Sequence, residues 1–287
     1  MSIQWFPGHM VAAQKKIAET MEFVDLVIEV LDARAPKASQ NPLTLSLSQA
    51  RDRPQLKVLN KSDLADPDVT QEWLTYFNGK AKTKAIAISC KKLNEPKKIL
   101  ALAKALAPHR GTPLKPLRMM IMGIPNVGKS TLINALAGKK IAKAANEPAV
   151  TKQQQRITLT ESMLLIDTPG LMWPKIESEE DALRLAINLN IGKNAYDEEE
   201  IAKALGHFLI KRYPALIQSR FKLEMLPQDG VALIEMIATQ RSLYKKNQVI
   251  DFLRGSQTLL TDYRDGLIGP ISLQNKHDLK EDLFLKL

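Results

Sequence analysis

A glycine-bounded loop at residues 123–130 carries the most specific chemistry in the chain. It reads GIPNVGKS and fits the pattern G-x-x-x-x-G-K-[ST]. Apolar residues precede it, as in a buried strand, and a helical pattern follows it, which is the context that this pattern requires. Backbone N–H groups of such a loop, together with the start of the helix, point at one anionic group. The sequence therefore predicts a site for a triphosphate.

The residue types within this phosphate loop have separate roles. Gly123 and Gly128 let the backbone approach a ligand closely, where a Cβ atom would intrude. Lys129 would reach the β- and γ-phosphates, and the Ser130 hydroxyl would bind Mg²⁺. A glycine turn that merely starts a helix is the alternative, and the agreement of strand, loop and helix argues against it. The nucleotide-binding residues predicted here are Asn126, Val127, Gly128, Lys129, Ser130 and Thr131.

A second polar group, Asn-Lys-Ser-Asp at 60–63, directly follows another strand-like run. Asp63 can accept hydrogen bonds from N1–H and the exocyclic amine of guanine, while Asn60 can serve the O6 and N7 edge. Adenine presents the opposite donor pattern and would leave buried groups unpaired. The stem of Lys61 would pack along the base plane. Alone the pattern N-K-x-D is weak, because four common residues recur by chance.

Two further loops complete the set. The segment D-T-P-G at 167–170 ends a strand; Asp167 would hold Mg²⁺ through water, and the Gly170 N–H would sense the γ-phosphate. Ser89-Cys90-Lys91 fits a loop that supports guanine through backbone groups, with Cys90 where alanine is usual. Together with the phosphate loop, these patterns predict a protein that binds GTP and Mg²⁺.

The elements that must position these loops alternate between strands and helices as far as residue 170. Such alternation, with phosphate-type loops at strand ends, indicates a doubly wound α/β sheet. From about residue 177 the periodicity is helical, which predicts domains at 1–175 and 176–287. From Gly266 onward the pattern is less regular, and we expect a partly mobile end. The predicted strands are 24–31, 55–59, 85–88, 119–122, 156–160 and 163–166.

Composition is that of an ordinary globular protein, with 287 residues, 45% apolar and 25% charged. The single cysteine, Cys90, excludes an internal disulfide and a cysteine-based zinc cluster. The N-terminal residues show no signal-peptide pattern, and the longest apolar run, 23–31, is too short to span a bilayer. We therefore expect a cytoplasmic protein.

The net charge of +10 is unevenly distributed. Segments 1–112 and 113–175 each carry +6, whereas segment 176–287 carries −2. An excess of cations on the nucleotide-binding part favours a polyanionic partner, and RNA is the most available one. The alternative is that the excess only aids solubility, since charge alone is not a motif.

The order of the loops is unusual. Ras-like GTPases run from the phosphate loop through a switch threonine and D-x-x-G to N-K-x-D and S-A-K, whereas here N-K-x-D and S-C-K come first. A circular permutation explains this order, with segment 92–117 joining the old ends. The chain thus resembles the circularly permuted GTPase family, through WFPGHM at 5–10, DARAP at 32–36, the loops above and the trailing helical region. The resemblance implies a permuted Ras-like P-loop GTPase domain followed by an all-α domain.

The resemblance also implies a role in late assembly of the large ribosomal subunit, with a helical domain that contacts RNA. It makes Thr151 the switch threonine and a Mg²⁺ ligand, although Ala149 stands where the family usually has glycine. Asn126 in such a loop often accompanies K⁺, and a turn-stabilising asparagine is the alternative. We expect a monomer that hydrolyses GTP.

Catalysis is the open point of the sequence. Leu171 occupies the position where Ras carries its water-orienting glutamine, and an apolar side chain cannot orient water. Without the family, His9 would be read as a histidine that packs the N-terminal segment; the resemblance favours a catalytic role. The predicted catalytic residues are His9, Lys129, Thr151 and Gly170.

Two functions follow from these observations. The first is a GTPase that binds the ribosomal particle with GTP and leaves it on hydrolysis. The second is a nucleotide-regulated RNA-binding module with incidental turnover, which Leu171 keeps open. A role in small-subunit assembly is less favoured. The permuted GTPase that acts there carries an N-terminal OB domain and a C-terminal zinc site, whereas this chain has a single cysteine.

Overall fold

The computed structural model describes residues 9–92, 94–141, 154–170, 172–173 and 176–279, with the backbone alone at 9–14 and 278–279. Six strands form one sheet in the order β3-β2-β1-β4-β6-β5. All neighbouring strands are parallel except β5, which runs antiparallel to β6. The strands are β1 (Leu26–Asp32), β2 (Gln55–Asn60), β3 (Thr83–Ala87), β4 (Leu117–Met122), β5 (Gln155–Thr160) and β6 (Met163–Asp167).

The centre of the sheet is β1, between β2 and β4. Ile28 pairs with Leu56 on one side and with Ile121 on the other. Every residue of β1 and β2 is buried, which is the pattern of a parallel sheet covered on both faces. The predicted α/β sheet is therefore confirmed, with strand bounds within two residues of those expected from the sequence.

Ten α-helices complete the described chain. In the sheet region, α4 packs against β2 and β3 and carries the chain from the edge strand β3 back to β4, beside β1. This crossover is the join that the permuted loop order requires. The helices are α1 (His9–Thr20), α2 (Pro42–Ala50), α3 (Pro67–Asn78), α4 (Lys98–Leu106), α5 (Lys129–Ala137), α6 (Glu179–Ile187), α7 (Glu198–Arg212), α8 (Pro214–Phe221), α9 (Gly230–Gln240) and α10 (Phe252–Arg264).

The helical region, residues 179–279, follows the sheet, as the sequence predicts. Pro214 separates α8 from α7, because proline ends a helix before it and is well suited to the first turn of the next. Among the described residues no helix is both long and apolar enough to cross a membrane. The boundary at 175/176 stays a prediction.

The segment after α10 corrects one expectation. The sequence predicts an irregular, partly mobile chain from Gly266 onward, yet Ile271 to Gln274 are almost fully buried. The Ile271 N–H donates to the Leu64 carbonyl at 2.9 Å, and the Leu273 N–H donates to the Arg34 carbonyl at 2.8 Å. An irregular segment can be fixed in this way when its backbone groups find partners on other elements.

Side chains extend this attachment of the helical region to the sheet region. The Gln274 Oε1 atom accepts from the N–H groups of Lys37 and Ala38, at 2.9 and 3.0 Å. The Gln274 amide nitrogen donates to Asp181 in α6, at 3.1 Å. The buried Trp73 donates its ring N–H to the Gln274 carbonyl at 2.9 Å. The segment 271–274 is thus bonded to α3, to the loop after β1 and to α6.

We expect Trp73→Phe to lower the free energy of unfolding by about 2–4 kcal/mol, because it leaves the Gln274 carbonyl unpaired and opens a cavity. Urea unfolding measures this change. The control Tyr76→Phe, on the same helix, removes a hydroxyl at a partly exposed position and should change the stability by less than about 0.5 kcal/mol. Equal stabilities of wild type and the Trp73 variant would show that the contact between the regions contributes little.

Candidate functional site

The phosphate loop connects the end of β4 to the start of α5, as predicted. Gly128 has a left-handed backbone with φ +94°, and a Cβ atom there would lie 2.1 Å from Nδ2 of Asn60. A Cβ atom at Gly123 would lie 2.9 Å from the Val30 carbonyl oxygen. Both glycines are therefore required by the packing of the loop itself, before any ligand is considered.

Asn60 has a role that the sequence did not predict. Its amide nitrogen donates to the Val127 carbonyl at 2.8 Å, and its amide oxygen accepts from the Cys90 N–H at 3.3 Å. One buried side chain therefore ties the loop 60–63 to the phosphate loop and to the loop 89–91. The predicted contact of Asn60 with the O6 and N7 edge of guanine stays a prediction.

The phosphate-loop lysine forms a buried ion pair with the carboxylate at the end of β6. Lys129 Nζ donates to Asp167 Oδ1. Burial lowers the pKa of Lys129 and raises the pKa of Asp167, since each charge is costly in a dry site without its partner. Loop 167–170 is further anchored by the Thr168 hydroxyl, which donates to the Ile121 carbonyl at 2.8 Å.

These residues suit a magnesium ion. Asp167 Oδ2 is buried and has no hydrogen-bond partner among the described residues, so one carboxylate oxygen lacks a donor or cation. Ser130, in the first turn of α5, would supply the second oxygen expected from the sequence. Mg²⁺ prefers oxygen ligands and keeps several waters, which fits a site with few protein ligands.

Gly170 lies against the phosphate loop. A Cβ atom on it would be 3.4 Å from the Cα atom and the nitrogen of Pro125. The two segments predicted to contact the γ-phosphate are therefore neighbours, because β4 and β6 are adjacent parallel strands that end at the same edge.

The predicted base-binding residues meet at the carboxyl end of β2. The Ser62 N–H donates to the Ile88 carbonyl at 3.1 Å, which fixes loop 60–63 beside loop 89–91. Asp63 is accessible, with Lys91 Nζ 3.5 Å from its Oδ2 atom. The N–H of the buried Ser89 donates to Glu95 Oε2 at 2.6 Å. Asp63 is thus placed where a ligand can reach its carboxylate.

Cys90 contributes packing and backbone to this loop and no reactive thiolate. Burial, with smaller contributions from the Asp63 and Glu95 carboxylates, raises the pKa of its thiol to about 12. The thiol is therefore protonated at neutral pH and behaves as a small apolar group. Its place where alanine is usual fits this role.

Asp32 and Arg34 have no role in the sequence analysis beyond the family motif, yet they form an almost fully buried ion pair beside the site. Arg34 donates from Nε and Nη2 to the two oxygens of Asp32, both at 2.9 Å. Lys61, in a left-handed conformation, donates to the same carboxylate at 2.9 Å. Arg34 also lies over the ring of Tyr263 in α10, 5.1 Å from its centroid. A carboxylate and a guanidinium two residues apart at a strand end were the available signal.

A second contact between the regions involves the phosphate loop directly. The Asn126 amide nitrogen donates to the Leu189 carbonyl at 2.8 Å, and the Asn190 amide nitrogen donates to the Pro125 carbonyl at 2.9 Å. Asn126 has φ +60°, a conformation that asparagine tolerates. This backbone conformation fits a turn position, and both the turn-stabilising role and the contact with K⁺ stay predictions.

Three predicted residues lie outside what the structure describes. Thr151 and Leu171 are among the undescribed positions, and His9 begins α1 but only its backbone is described. Their roles stay predictions. The remaining predicted site residues belong to three loops that follow β2, β3 and β6 and to the phosphate loop with its helix.

Known proteins share this arrangement. The family described as 50S ribosome-binding GTPase matches residues 118–214. Ribosome biogenesis GTPase A of Bacillus cereus is 37% identical, over 99% of this chain and 97% of that protein. The chain belongs to the ribosome biogenesis GTPase A family.

Solved structures of the family agree with the fold. The GDP-bound structure of TM YlqF is 27% identical, with a TM-score of 0.64 over 92% of this chain and 100% of that one. GNP-bound YlqF from T. maritima is also 27% identical, with a TM-score of 0.63 over 92% of this chain and 98% of that one. The chain is a circularly permuted GTPase that binds and hydrolyses GTP.

We expect Gly128→Ala to abolish GTP binding, because the new Cβ atom would displace Asn60 and separate the loops that it joins. Gly138→Ala is the matched control: Gly138 is also left-handed, with φ +65°, but a Cβ atom there meets nothing within 4 Å. The control should cost about 1–2 kcal/mol of stability for backbone strain alone and retain binding. Titration with a fluorescent GTP analogue separates the two; equal affinities would refute the role given to Gly128.

Asp32 should make the free energy of unfolding depend on pH in the acid range. Burial acts to raise its pKa, but Arg34 and Lys61 outweigh this and hold the pKa well below its usual range. The carboxylate therefore stabilises the fold above its unfolded pKa of about 3.9, and this contribution is lost as the pH falls through the folded pKa.

We expect Asp32→Asn to lower the free energy of unfolding by about 3–5 kcal/mol near neutral pH, since Arg34 stays buried without its counter-charge. The difference from wild type should be constant between about pH 5 and pH 7 and shrink below about pH 4. Urea unfolding across this range measures it. A difference that persists unchanged at acid pH would contradict the assignment.

Proposed function

We propose that the protein is an assembly factor in late maturation of the large ribosomal subunit. It binds the immature particle in its GTP form, and hydrolysis of GTP releases it. The observation that carries the proposal is the convergence of the phosphate, guanine and D-T-P-G loops at one edge of the sheet, in a chain whose relatives are named for ribosome biogenesis. A cytoplasmic location is part of the proposal.

In this proposal each loop acts on a different part of GTP. Asp63 recognises guanine, assisted by backbone groups of the loop that contains Ser89 and Cys90. The phosphate loop surrounds the β- and γ-phosphates, and Lys129 moves from Asp167 to the phosphates when GTP binds. The buried pair gives Lys129 a partner of opposite charge until then.

Metal ions complete the site. Ser130, Thr151 and Asp167 would hold Mg²⁺, which neutralises charge that develops on the phosphate oxygens. Asn126 would contribute its amide oxygen to K⁺, because the Leu189 carbonyl can only accept and so fixes the nitrogen end of the amide.

His9 takes the place of the missing glutamine in orienting the attacking water. Leu171 has no group that could do so, and His9 is the family's candidate. Gly170 and Thr151 respond to the γ-phosphate, and Gly170 lies so near the phosphate loop that a Cβ atom on it would be 3.4 Å from Pro125. Loss of the γ-phosphate would therefore change the surroundings of Pro125, whose carbonyl accepts a hydrogen bond from Asn190 of the helical region.

The ribosomal partner is supported by names and by charge. The matched family is described as 50S ribosome-binding, and Bos taurus has a related mitochondrial ribosome-associated GTPase 1. Residues 1–175 carry the whole positive excess, which attracts RNA over a distance set by salt. In the helical region, the turn between α9 and α10 exposes Tyr244, Lys245 and Lys246, which could form a second contact with RNA.

The second candidate is a nucleotide-regulated RNA-binding module with incidental turnover. Leu171 favours it, because hydrolysis without a water-orienting group should be slow. The two candidates differ in one measurable quantity, the ratio of GTP turnover with and without ribosomal particles. The first predicts strong stimulation by large-subunit particles, and the second predicts none.

We expect co-sedimentation with immature large-subunit particles to be stronger with a non-hydrolysable GTP analogue than with GDP. GTP turnover should rise at least about tenfold on adding the particles, as expected when a positioning group is completed. Binding should weaken steeply with salt, because phosphate contacts release counterions. Equal sedimentation in both nucleotide states, or preference for the small subunit, would overturn the proposal.

A charge-matched pair of variants tests the helical contact. Lys245→Glu with Lys246→Glu should weaken sedimentation and leave GTP affinity unchanged. Lys97→Glu with Lys98→Glu changes the net charge equally, at exposed positions at the start of α4, and should weaken sedimentation less. Equal effects of both pairs would mean that only long-range attraction is at work. Full-length variants are needed, because removal of the helical region would strip partners from Arg34, Trp73 and Pro125.

A further inference from the structure

The turn after α6, residues 188–191, is bonded to the phosphate loop in both directions. Asn190 donates from its amide nitrogen to the Pro125 carbonyl at 2.9 Å. Asn126 donates from its own amide nitrogen to the Leu189 carbonyl at 2.8 Å. Two consecutive residues of the helical region therefore hold two consecutive residues of the phosphate loop.

The turn itself is held firmly in place. Leu189 adopts a left-handed backbone with φ +60°, and the Asn190 N–H donates back to the Leu185 carbonyl at 2.8 Å. Arg264 from α10 donates to the carbonyls of Ile187 and Ala186 at 2.8 and 3.1 Å. A cation at a helix C-terminus also interacts favourably with the helix dipole. The end of α6 is therefore fixed by Arg264 of α10.

Burial of the Asn190 side chain costs free energy that packing alone does not explain. Its side chain is fully buried, and its Oδ1 atom has no hydrogen-bond partner among the described residues. An unpaired buried amide oxygen costs free energy that an apolar side chain of similar size would not. The single bond from Asn190 to Pro125 is therefore the feature that distinguishes this residue from a packing residue.

The bond to Pro125 fixes a peptide plane. In a trans peptide the carbonyl of one residue and the N–H of the next point in opposite directions. Holding the Pro125 carbonyl therefore aims the Asn126 N–H away from Asn190. In the same way, Asn60 holds the Val127 carbonyl at 2.8 Å and so orients the Gly128 N–H. Two buried asparagines, one from β2 and one from the helical region, orient alternate peptides of the loop.

We propose that Asn190 is a positioning residue for the phosphate loop and that the helical region thereby completes the nucleotide site. Asn190 orients the Asn126 peptide toward the phosphates without touching the nucleotide. The proposal needs only the GTP-binding activity and holds whichever particle the protein acts on, so it can fail or succeed independently of the ribosomal partner.

The test is a matched pair of full-length variants. Asn190→Asp keeps the shape of the side chain but removes the donor to Pro125. Asn188→Asp, two residues away and equally buried, keeps the oxygen that accepts from the Tyr263 hydroxyl at 2.8 Å and removes only a nitrogen without a partner among the described residues. Both variants bury one new carboxylate in the same turn, so their difference isolates the bond to Pro125.

We expect Asn190→Asp to raise the Kd for fluorescently labelled GDP about tenfold or more, the size expected for one lost hydrogen bond. Asn188→Asp should leave that Kd within about twofold. A second variant, Asn190→Ala, removes the donor without adding a charge and should weaken binding to a similar degree.

A purely structural role is distinguished by two further readouts, the binding stoichiometry and the ratio of GDP to IDP affinity. If Asn190 positions the phosphate loop, the binding stoichiometry stays at one and the ratio of GDP to IDP affinity stays at the wild-type value, because the guanine loop is untouched. A fall in stoichiometry at constant Kd would instead indicate partial unfolding. Any of four results would overturn the proposal. They are this fall in stoichiometry, an unchanged Kd in the Asn190 variants, an equal loss of GDP affinity in Asn188→Asp, and a changed ratio of GDP to IDP affinity.

Discussion

The buried carboxylate of Asp32 needs positively charged partners, and the residues that supply them connect the base-binding loop to the helical region. It lies at the end of the central strand, where no water can solvate it, and a lone charge there would be very costly. Arg34 binds both of its oxygens, and Lys61 reaches it from the guanine loop. Because Arg34 also lies over Tyr263 and its carbonyl accepts from Leu273, one charge links the base-binding loop to the helical region.

At the phosphate end of the site, buried polar groups likewise find their partners on distant elements. The phosphate loop cannot bond to itself as a helix or strand does, so its carbonyls must be satisfied from outside. Asn60 supplies one partner from the sheet, and Asn190 supplies another from the helical region. The two ends of the nucleotide site are therefore both joined to helices that lie far away in sequence. Segment 271–274 adds a third attachment through Trp73 and Gln274.

These attachments give the permuted order a consequence. The permutation leaves the sheet and its loops in the arrangement of a Ras-like domain, because parallel strands pair by position in space and not by order in the chain. What changes is where the chain goes next. It leaves the sheet after β6 and the D-T-P-G loop and continues into α6, and the turn that follows this helix contacts the phosphate loop. The helical region is thus placed beside the phosphate loop by the connectivity itself.

The sequence by itself determined the sheet, the order of its loops and the loops that form the candidate site. The phosphate loop, N-K-S-D and D-T-P-G are local patterns whose residue types follow from phosphate and guanine chemistry, so their combination in one chain is visible without a structure. Strand periodicity likewise placed all six strands, since a buried parallel strand is a short apolar run.

Only the tertiary structure decided which distant residues complete that site. Asn190 follows one helical stretch and Arg264 ends another, and Gln274 lies in a stretch without periodicity that the sequence predicts to be partly mobile. Asn190 and Arg264 donate to carbonyls more than 60 residues away in sequence, and the Gln274 carbonyl accepts from the distant Trp73. Such bonds leave no local pattern, because a carbonyl is present at every residue and any nearby donor can satisfy it.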